Sequence, residues 1–230
     1  TPKPSSAASD VYKRQPLARG AINVRSAVVM LLVMLGLSLG VVLSLDPNSR
    51  QLCLGLAVAA LPPILLYPSA KRWFGYPQAI LAICWGFAVL IPWAAATGSL
   101  SANPGLIGCW LATLFWTFGF DTVYAMADRR DDALIGLRSS ALTLGQKVQS
   151  CVRVCYGLMA AALALAAATV QVHPVFWPIW LVTTALMQRS CRPLNSGEAD
   201  IKSFGLHFQQ QVRLGSLLLV GLILSRSLVG

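Results

Sequence analysis

Four of the eight acidic residues in this 230-residue chain lie within twelve positions, at the end of a long apolar segment: Asp121, Asp128, Asp131 and Asp132. Because burial of an unpaired carboxylate in hydrocarbon is costly, such a group suggests a cation site or an ion path. On one helix, which turns by about 100° per residue, Asp121, Asp128 and Asp132 would share a stripe, with Asp131 further round. Magnesium is often held by one or two carboxylates together with phosphate oxygens, so the stripe predicts a magnesium site that holds a diphosphate. The alternative is a solvated helix end whose charges pair at i,i+3 and i,i+4.

Basic residues flank the acidic cluster and also form a second group earlier in the chain. Three arginines close to the cluster could lie near the phosphates: Arg129, Arg130 and Arg138. In the earlier segment YPSAKRWFGYPQ, Tyr67 precedes Lys71 by four residues, and Lys71 and Arg72 could bind a diphosphate as a point charge and a planar fork. The alternative is an interfacial anchor in which Trp73 and Tyr76 join an aromatic belt. An acidic cluster on the same membrane face favours the binding site.

The composition indicates which elements must position these residues. The chain is 56% hydrophobic and 11% charged, with a mean hydropathy of +0.65, which indicates an integral membrane protein. A spanning helix needs about 20 apolar residues. The intervals 26–45 and 51–70 fit one helix each, whereas 73–120 and 154–188 fit two each, broken at Thr97 to Gly105 and at His173-Pro174. With the apolar run from Val212 to Val229, the prediction is an all-α protein with seven transmembrane helices.

The distribution of basic residues predicts an orientation for these helices. When the seven spans alternate, sixteen of the eighteen Lys and Arg residues fall on one side, in residues 1–25, 71–76, 121–153 and 189–213. We call this side A and the opposite one side B. Basic residues of short loops collect on the cytoplasmic face, so side A is predicted to face the cytoplasm, together with the aspartate cluster.

The same features exclude some classes of protein. The net charge of +10 is dispersed over loops between spans, which argues against a nucleic-acid-binding surface. The charge-free intervals contain no ionisable group near mid-span, which makes a secondary transporter less favoured. No CxxC pair indicates a zinc or redox site. No protein partner can be inferred, and the predicted surroundings are the lipid bilayer.

Several stretches resemble the UbiA family of intramembrane prenyltransferases, in the form of the 4-hydroxybenzoate polyprenyltransferase type. DTVYAMADRRDD followed by IGLRSSA is similar to the family's second aspartate-rich motif. The segment from Tyr67 to Gln78, PLARGAI at 16–22 and FQQQVRLGSLLLVGL near the end are similar to the same enzymes. The resemblance covers residues 16–230.

The resemblance implies a bundle of nine spans around a cavity open to the membrane, of which seven are expected here. It implies magnesium-dependent transfer of a polyprenyl group from polyprenyl diphosphate to the ring of 4-hydroxybenzoate, in ubiquinone or plastoquinone biosynthesis, at a bacterial inner membrane. The implied metal ligands are Asp121, Asp128 and Asp132. The implied diphosphate-binding residues are Lys71, Arg72, Arg129 and Arg138, and the implied catalytic residues are Lys71, Arg72, Tyr67 and Tyr124. The alternatives are another acceptor, such as homogentisate or an isoprenoid-lipid precursor, and a noncatalytic membrane remnant.

The chain departs from the family pattern at its start. The family's first aspartate-rich motif, NDxxDxxxD, is expected shortly before PLARG, but residues 1–15 are polar and offer only Asp10. We therefore expect a non-native or disordered leader over 1–15 and an incomplete prenyltransferase domain over 16–230. We also expect the 230-residue form to be inactive or nearly so.

Overall fold

The computed structural model describes residues 16–195 and 201–229, so the predicted leader over 1–15 lies outside the described residues. Within them the chain is helical, without strands, which confirms the all-α prediction. The α-helices are α1 (Val24–Leu43), α2 (Pro47–Ala70), α3 (Pro77–Thr97), α4 (Pro104–Ala127), α5 (Arg129–Leu134), α6 (Ser140–Leu144), α7 (Val148–Thr169), α8 (Phe176–Ser190) and α9 (Ile201–Val229). Two 3-10 turns complete them, Gly145–Lys147 and Arg192–Asn195.

Among the described residues, six segments are long and apolar enough to cross a membrane: Val24–Leu43, Pro47–Ala70, Pro77–Thr97, Pro104–Ala127, Ser140–Thr169 and Ser203–Leu228. The seventh long helix, α8, has 15 residues and spans about 22 Å at 1.5 Å per residue. Both predicted interruptions are present, because α3 ends at Thr97 and α4 begins at Pro104, and His173-Pro174 separates α7 from α8.

Prolines and capping side chains fix where the spans begin. Pro47, Pro77 and Pro104 stand in the first turn of their helices, where the missing N–H costs no hydrogen bond. Asp46 Oδ1 accepts hydrogen bonds from the amides of Asn48 and Ser49, each at 3.1 Å, and so caps α2. These local signals allow short connections between α1 and α2 and between α3 and α4.

A close helix contact joins α4 to α7. A Cβ placed on Gly108 would lie 2.6 Å from the carbonyl oxygen of Ala162, so only glycine allows this approach. Further along α4, Gly119 packs against the ring of fully buried Tyr156. Small residues let membrane helices approach closely. The packing of α4 against α7 therefore helps to fix the position of the acidic C-terminal end of α4.

Hydrogen bonds group the connections into two ends of the bundle. At one end, Gln149 Nε2 of α7 donates to the carbonyl oxygens of Cys191 and Arg192, beyond α8. At the other end, the amide of His173 donates to Ser225 Oγ of α9 at 2.6 Å. These ends correspond to side A and side B of the sequence analysis.

Candidate functional site

An ion pair joins the two chemically informative segments at side A. Lys71, which follows α2, directs its Nζ at the carboxylate of Asp132 on α5, 3.1 Å from Oδ2 and 3.4 Å from Oδ1. The Asp132 side chain is only 7% exposed and that of Lys71 is 31% exposed. The structure thus brings together two predicted site residues that are 61 positions apart.

Further hydrogen bonds hold the 71–76 connection against the segment after α5. The amide of Arg138 donates to the carbonyl oxygen of Lys71 at 2.7 Å, and its guanidinium donates to the carbonyl oxygen of Trp73 at 2.8 Å. Thr143 Oγ1 donates to the carbonyl oxygen of Gly75 at 2.7 Å. Arg138 is therefore held at the edge of the site by both its backbone and its side chain.

Three uncharged polar residues, Gln78, Thr122 and Ser140, form hydrogen bonds between the helices next to this site. The sequence analysis did not identify them. The amide of Ser140 donates to Gln78 Oε1 at 2.9 Å, and Ser140 Oγ lies 2.7 Å from Thr122 Oγ1. All three side chains are buried and hydrogen-bonded, linking α3, α4 and α6. The available signal was the position of Gln78 and Thr122, since polar residues that adjoin apolar spans need partners once buried.

The acidic segment is not one continuous helix. α4 ends at Ala127 and α5 begins at Arg129, with Asp128 at the junction. The amide of Asp132 still donates to the carbonyl oxygen of Asp128 at 2.8 Å. The single stripe through Asp121, Asp128 and Asp132 is therefore bent at Asp128, where the run of charges begins and the helix can leave hydrocarbon.

Lys71 interacts electrostatically with all three predicted metal ligands. Besides its pair with Asp132, Lys71 interacts with Asp121 and Asp128, and these two acids interact with each other. Although Asp128 is exposed, the protein atoms around its carboxyl raise its pKa above the ordinary value. Lys71 opposes that rise, whereas Asp132 and Asp131 add to it. The site therefore concentrates negative charge around one ammonium group.

A divalent metal is the group that the sequence analysis assigned to these acids. Within 16–195 and 201–229, no three His, Cys, Asp or Glu side chains are grouped closely enough to hold a metal ion by themselves. Hard carboxylate oxygens nevertheless fit the mode in which magnesium takes one or two carboxylates and completes its shell with phosphates and water. The assignment of Asp121, Asp128 and Asp132 as ligands stays a prediction.

The remaining predicted site residues lie around this centre with fewer contacts. Tyr67 of α2 is half-buried and interacts electrostatically with Asp121 and Tyr124. Tyr124 is 58% exposed. In the described part of the chain, the side chains of Arg72 and Arg129 have no hydrogen-bond or ion-pair partner. Their guanidinium groups are thus available to an anion.

A cavity of about 320 Å³ lies beside the acidic end of α4 and is lined mainly by apolar side chains of α3, α4 and α9. Its lining residues are Leu81, Trp85, Trp116, Thr117, Phe120, Asp121, Gln211 and Val212. Trp116 Nε1 donates to Gln211 Oε1 at 3.2 Å, and Gln211 Nε2 donates to Ser190 Oγ at 3.1 Å. The cavity therefore combines apolar walls with the carboxylate of Asp121.

Comparison with known proteins gives consistent results. The sequence profile of the UbiA prenyltransferase family matches residues 9–191. The 4-hydroxybenzoate solanesyltransferase of Synechocystis sp. is 41% identical over 212 residues, which cover 92% of this chain and 70% of that protein. The mitochondrial 4-hydroxybenzoate polyprenyltransferase of Schizosaccharomyces pombe is 34% identical over 75% of this chain and 48% of its own length. The chain thus spans about half of the second relative.

Two solved structures share the fold. An apo structure of a UbiA homologue from Aeropyrum pernix K1 superposes with a TM-score of 0.65 at 22% identity, over 90% of this chain and 76% of that one. A structure of digeranylgeranylglyceryl phosphate synthase gives a TM-score of 0.64 at 16% identity, over 94% of this chain and 76% of the other. At these identities the similarity concerns the helical fold.

Proposed function

This chain belongs to the UbiA prenyltransferase family, and we propose that it transfers a polyprenyl group from a polyprenyl diphosphate to the ring of 4-hydroxybenzoate in quinone biosynthesis. The names of the Synechocystis and Schizosaccharomyces pombe relatives support this donor and acceptor. The structural observation that carries the proposal is the Lys71–Asp132 ion pair, which joins a basic connection to an acidic helix end beside an apolar cavity.

The diphosphate would bind to the cations at side A. Lys71 offers a point charge, and Arg72 and Arg129 offer planar forks whose side chains have no partner within the described residues. The Arg138 guanidinium is oriented by Trp73 and can donate its remaining N–H groups. As the bond from the allylic carbon to the diphosphate oxygen breaks, these cations neutralise the charge that grows on the leaving group.

Prenyltransferases of this family generally depend on a divalent metal. We propose that Mg²⁺ is the ion and that Asp121, Asp128 and Asp132 hold it, so that when bound it adds positive charge next to the diphosphate. Lys71 already neutralises part of this acidic group in the structure. The acids would otherwise repel an anionic substrate.

The cavity beside Asp121 would hold the part of the prenyl chain nearest the reacting carbon. Its apolar walls exclude water, which protects the allylic cation from hydrolysis after the diphosphate leaves with the bonding electron pair. The ring carbon ortho to the phenol of the acceptor then supplies the electron pair of the new C–C bond. Transfer of that carbon's proton to the released diphosphate restores aromaticity.

Tyr67 and Tyr124 would orient the reactants at this site, since Tyr67 interacts electrostatically with Asp121 and with Tyr124. The carboxylate of 4-hydroxybenzoate needs a cation, for which Arg72 and Arg138 are the candidates. Side A would face the cytoplasm of a bacterial inner membrane, in agreement with the excess of basic residues there.

The direct test is prenyl transfer to radiolabelled 4-hydroxybenzoate in membranes, with and without Mg²⁺. Two forms are expressed: the 230-residue chain alone, and the same chain within the longest native reading frame that contains it. Metal-dependent formation of labelled prenyl-4-hydroxybenzoate by either form supports the proposal. Normal expression without product, or activity only with another aromatic or isoprenoid-lipid acceptor, overturns the assignment of substrate.

A further inference from the structure

A second cavity, separate from the one beside Asp121, lies between α8 and α9 at side A and has a volume of about 430 Å³. The cavity beside Asp121 uses Gln211 and Val212 of α9, whereas this one uses a different face of the helix, which includes Leu206, Gln210 and Arg213. Arg189 contributes from α8. The proposed reaction uses none of these residues.

Two arginines give the second cavity its charge. Both Arg189 and Arg213 are exposed, and among the described residues neither side chain has a hydrogen-bond or ion-pair partner. They lie near the same level, because Ser190 Oγ accepts a hydrogen bond from Gln211 Nε2 at 3.1 Å, and each arginine is within two residues of that contact. Two guanidinium groups at one cavity suit an oxyanion with several acceptor atoms, such as a phosphate.

The position of the arginines along their helices indicates the rest of the ligand. Arg189 is the penultimate residue of α8, and Arg213 lies at the start of the apolar run of α9, so both stand where polar chain meets the membrane-spanning part. Towards the membrane the lining continues with Leu186 and Leu214, and towards side A it includes Leu206. A phosphate at this level would have an apolar surface directly below it.

We propose that this α8–α9 cavity binds an anionic phospholipid, with its phosphate between Arg189 and Arg213 and the start of an acyl chain against Leu186 and Leu214. A basic site at the headgroup level with apolar walls matches both parts of such a lipid. A free phosphate shares the charged part of this chemistry but would gain nothing from the leucines. The site is independent of the proposed prenyl transfer.

The test is native mass spectrometry of the delipidated full chain titrated with phosphatidylglycerol or with phosphatidylcholine of the same acyl chains. We expect one phosphatidylglycerol to bind more tightly than phosphatidylcholine by on the order of tenfold, and Arg189→Gln/Arg213→Gln to remove that preference. The matched control, Arg19→Gln/Arg25→Gln, changes two exposed side-A arginines and should keep the preference. Equal loss in both double variants, or no loss in the first, would overturn the proposal.

Two further arms identify the ligand chemistry. Leu186→Gln changes an exposed leucine of the lining that the acyl chain would contact, and it should weaken phosphatidylglycerol binding while the protein stays folded. Displacement of the bound lipid by millimolar inorganic phosphate would assign the cavity to a small anion and overturn the choice of a lipid. If the double variant of the cavity arginines does not insert, the single variants Arg189→Gln and Arg213→Gln carry the same comparison.

Discussion

Lys71 lies among more negative charge than its own ammonium group can neutralise. Asp132 pairs with it directly, and Asp121 and Asp128 interact with it as well. A diphosphate that approaches Lys71 would be repelled by these carboxylates, so it needs further positive charge. In the proposed enzyme that charge comes from the neighbouring arginines and a divalent ion, which makes the acids and the cations a single functional unit.

Asp128→Asn tests the proposed function of this unit while leaving the stability of the fold nearly unchanged. The carboxylate is exposed and its removal changes packing little, so we expect the free energy of unfolding to stay within about 0.5 kcal/mol. In a version of the protein that is active, metal-dependent transfer should fall by on the order of 100-fold or more. Turnover in membranes and thermal unfolding in detergent measure the two effects. Near-normal turnover would refute the metal assignment.

The matched control for that substitution is Asp46→Asn, at the start of α2. Asp46 is an exposed aspartate on side B, and asparagine can accept the same hydrogen bonds from the amides of Asn48 and Ser49. Turnover and unfolding should both stay at the level of the unaltered chain. A comparable loss of turnover in this control would mean that charge removal acts nonspecifically.

The Lys71–Asp132 pair can be measured by a double-mutant cycle of Lys71→Gln and Asp132→Asn. We expect a coupling free energy of roughly 1 kcal/mol in thermal unfolding, because Lys71 is partly exposed and solvent screens the pair. The control cycle joins Lys147→Gln to Asp46→Asn, at opposite ends of the bundle, and should show no coupling. Zero coupling in the first cycle would contradict the ion pair.

The sequence predicted the charged residues of this site but not the contacts between them. Charged residues in an apolar chain stand out, which is how Asp121, Asp128, Asp132 and Lys71 were identified. Spacing along the chain reports only local neighbours, so it gave no means of pairing Lys71 with Asp132 across 61 positions. Gln78, a supporting residue, was missed because uncharged polar groups are common at helix ends and reveal a role only through their partner.

At the scale of whole helices, the approach of α4 to α7 positions the acidic end of α4. Gly108→Ala would place a methyl group 2.6 Å from the Ala162 carbonyl oxygen and 2.9 Å from the Cβ of Ala166. Backbone cannot rotate away as a side chain can, so the helices must separate. We expect a loss of about 1–3 kcal/mol in the free energy of unfolding, measured by thermal unfolding in detergent.

Gly40→Ala is the matched control for that prediction. Gly40 lies inside α1, and a Cβ there meets no atom within 4 Å. The substitution should be neutral or stabilising by up to about 1 kcal/mol, since alanine has the higher helix propensity. If Gly108→Ala were as stable as this control, the close contact of α4 and α7 would be wrong.

Helix boundaries were predictable where the chain carries local signals and not where tertiary contacts decide. The break between α3 and α4 follows from a polar stretch with glycine and proline, and His173-Pro174 marks the next one. The short helices α5 and α6 have six and five residues, too few for an apolar period. Contacts such as that of Ser140 with Gln78 fix their position, and no local pattern encodes these contacts.

At the scale of the whole molecule, the distribution of basic residues and the hydrogen bonds between connections distinguish the same two ends of the bundle. The alternation of spans along the sequence assigns sixteen of eighteen basic residues to side A, and the described connections at that end contact one another through Arg138, Thr143 and Gln149. A charge bias of this size is the usual determinant of orientation in short-loop membrane proteins. The proposed reaction would then draw its acceptor and metal from the cytoplasm.

Protease sites placed in one connection of each end test this orientation. A tobacco etch virus protease site inserted after Ser101, in the exposed connection between α3 and α4, should be cut in intact spheroplasts. The same site after Gln146, in the exposed turn before α7, should be cut in inverted membrane vesicles and not in intact spheroplasts. Both insertions should be cut in detergent, which controls for access to the site. Cleavage after Gln146 in spheroplasts would place the Lys71–Asp132 centre on the outer face, where the excess of basic residues would contradict the charge rule.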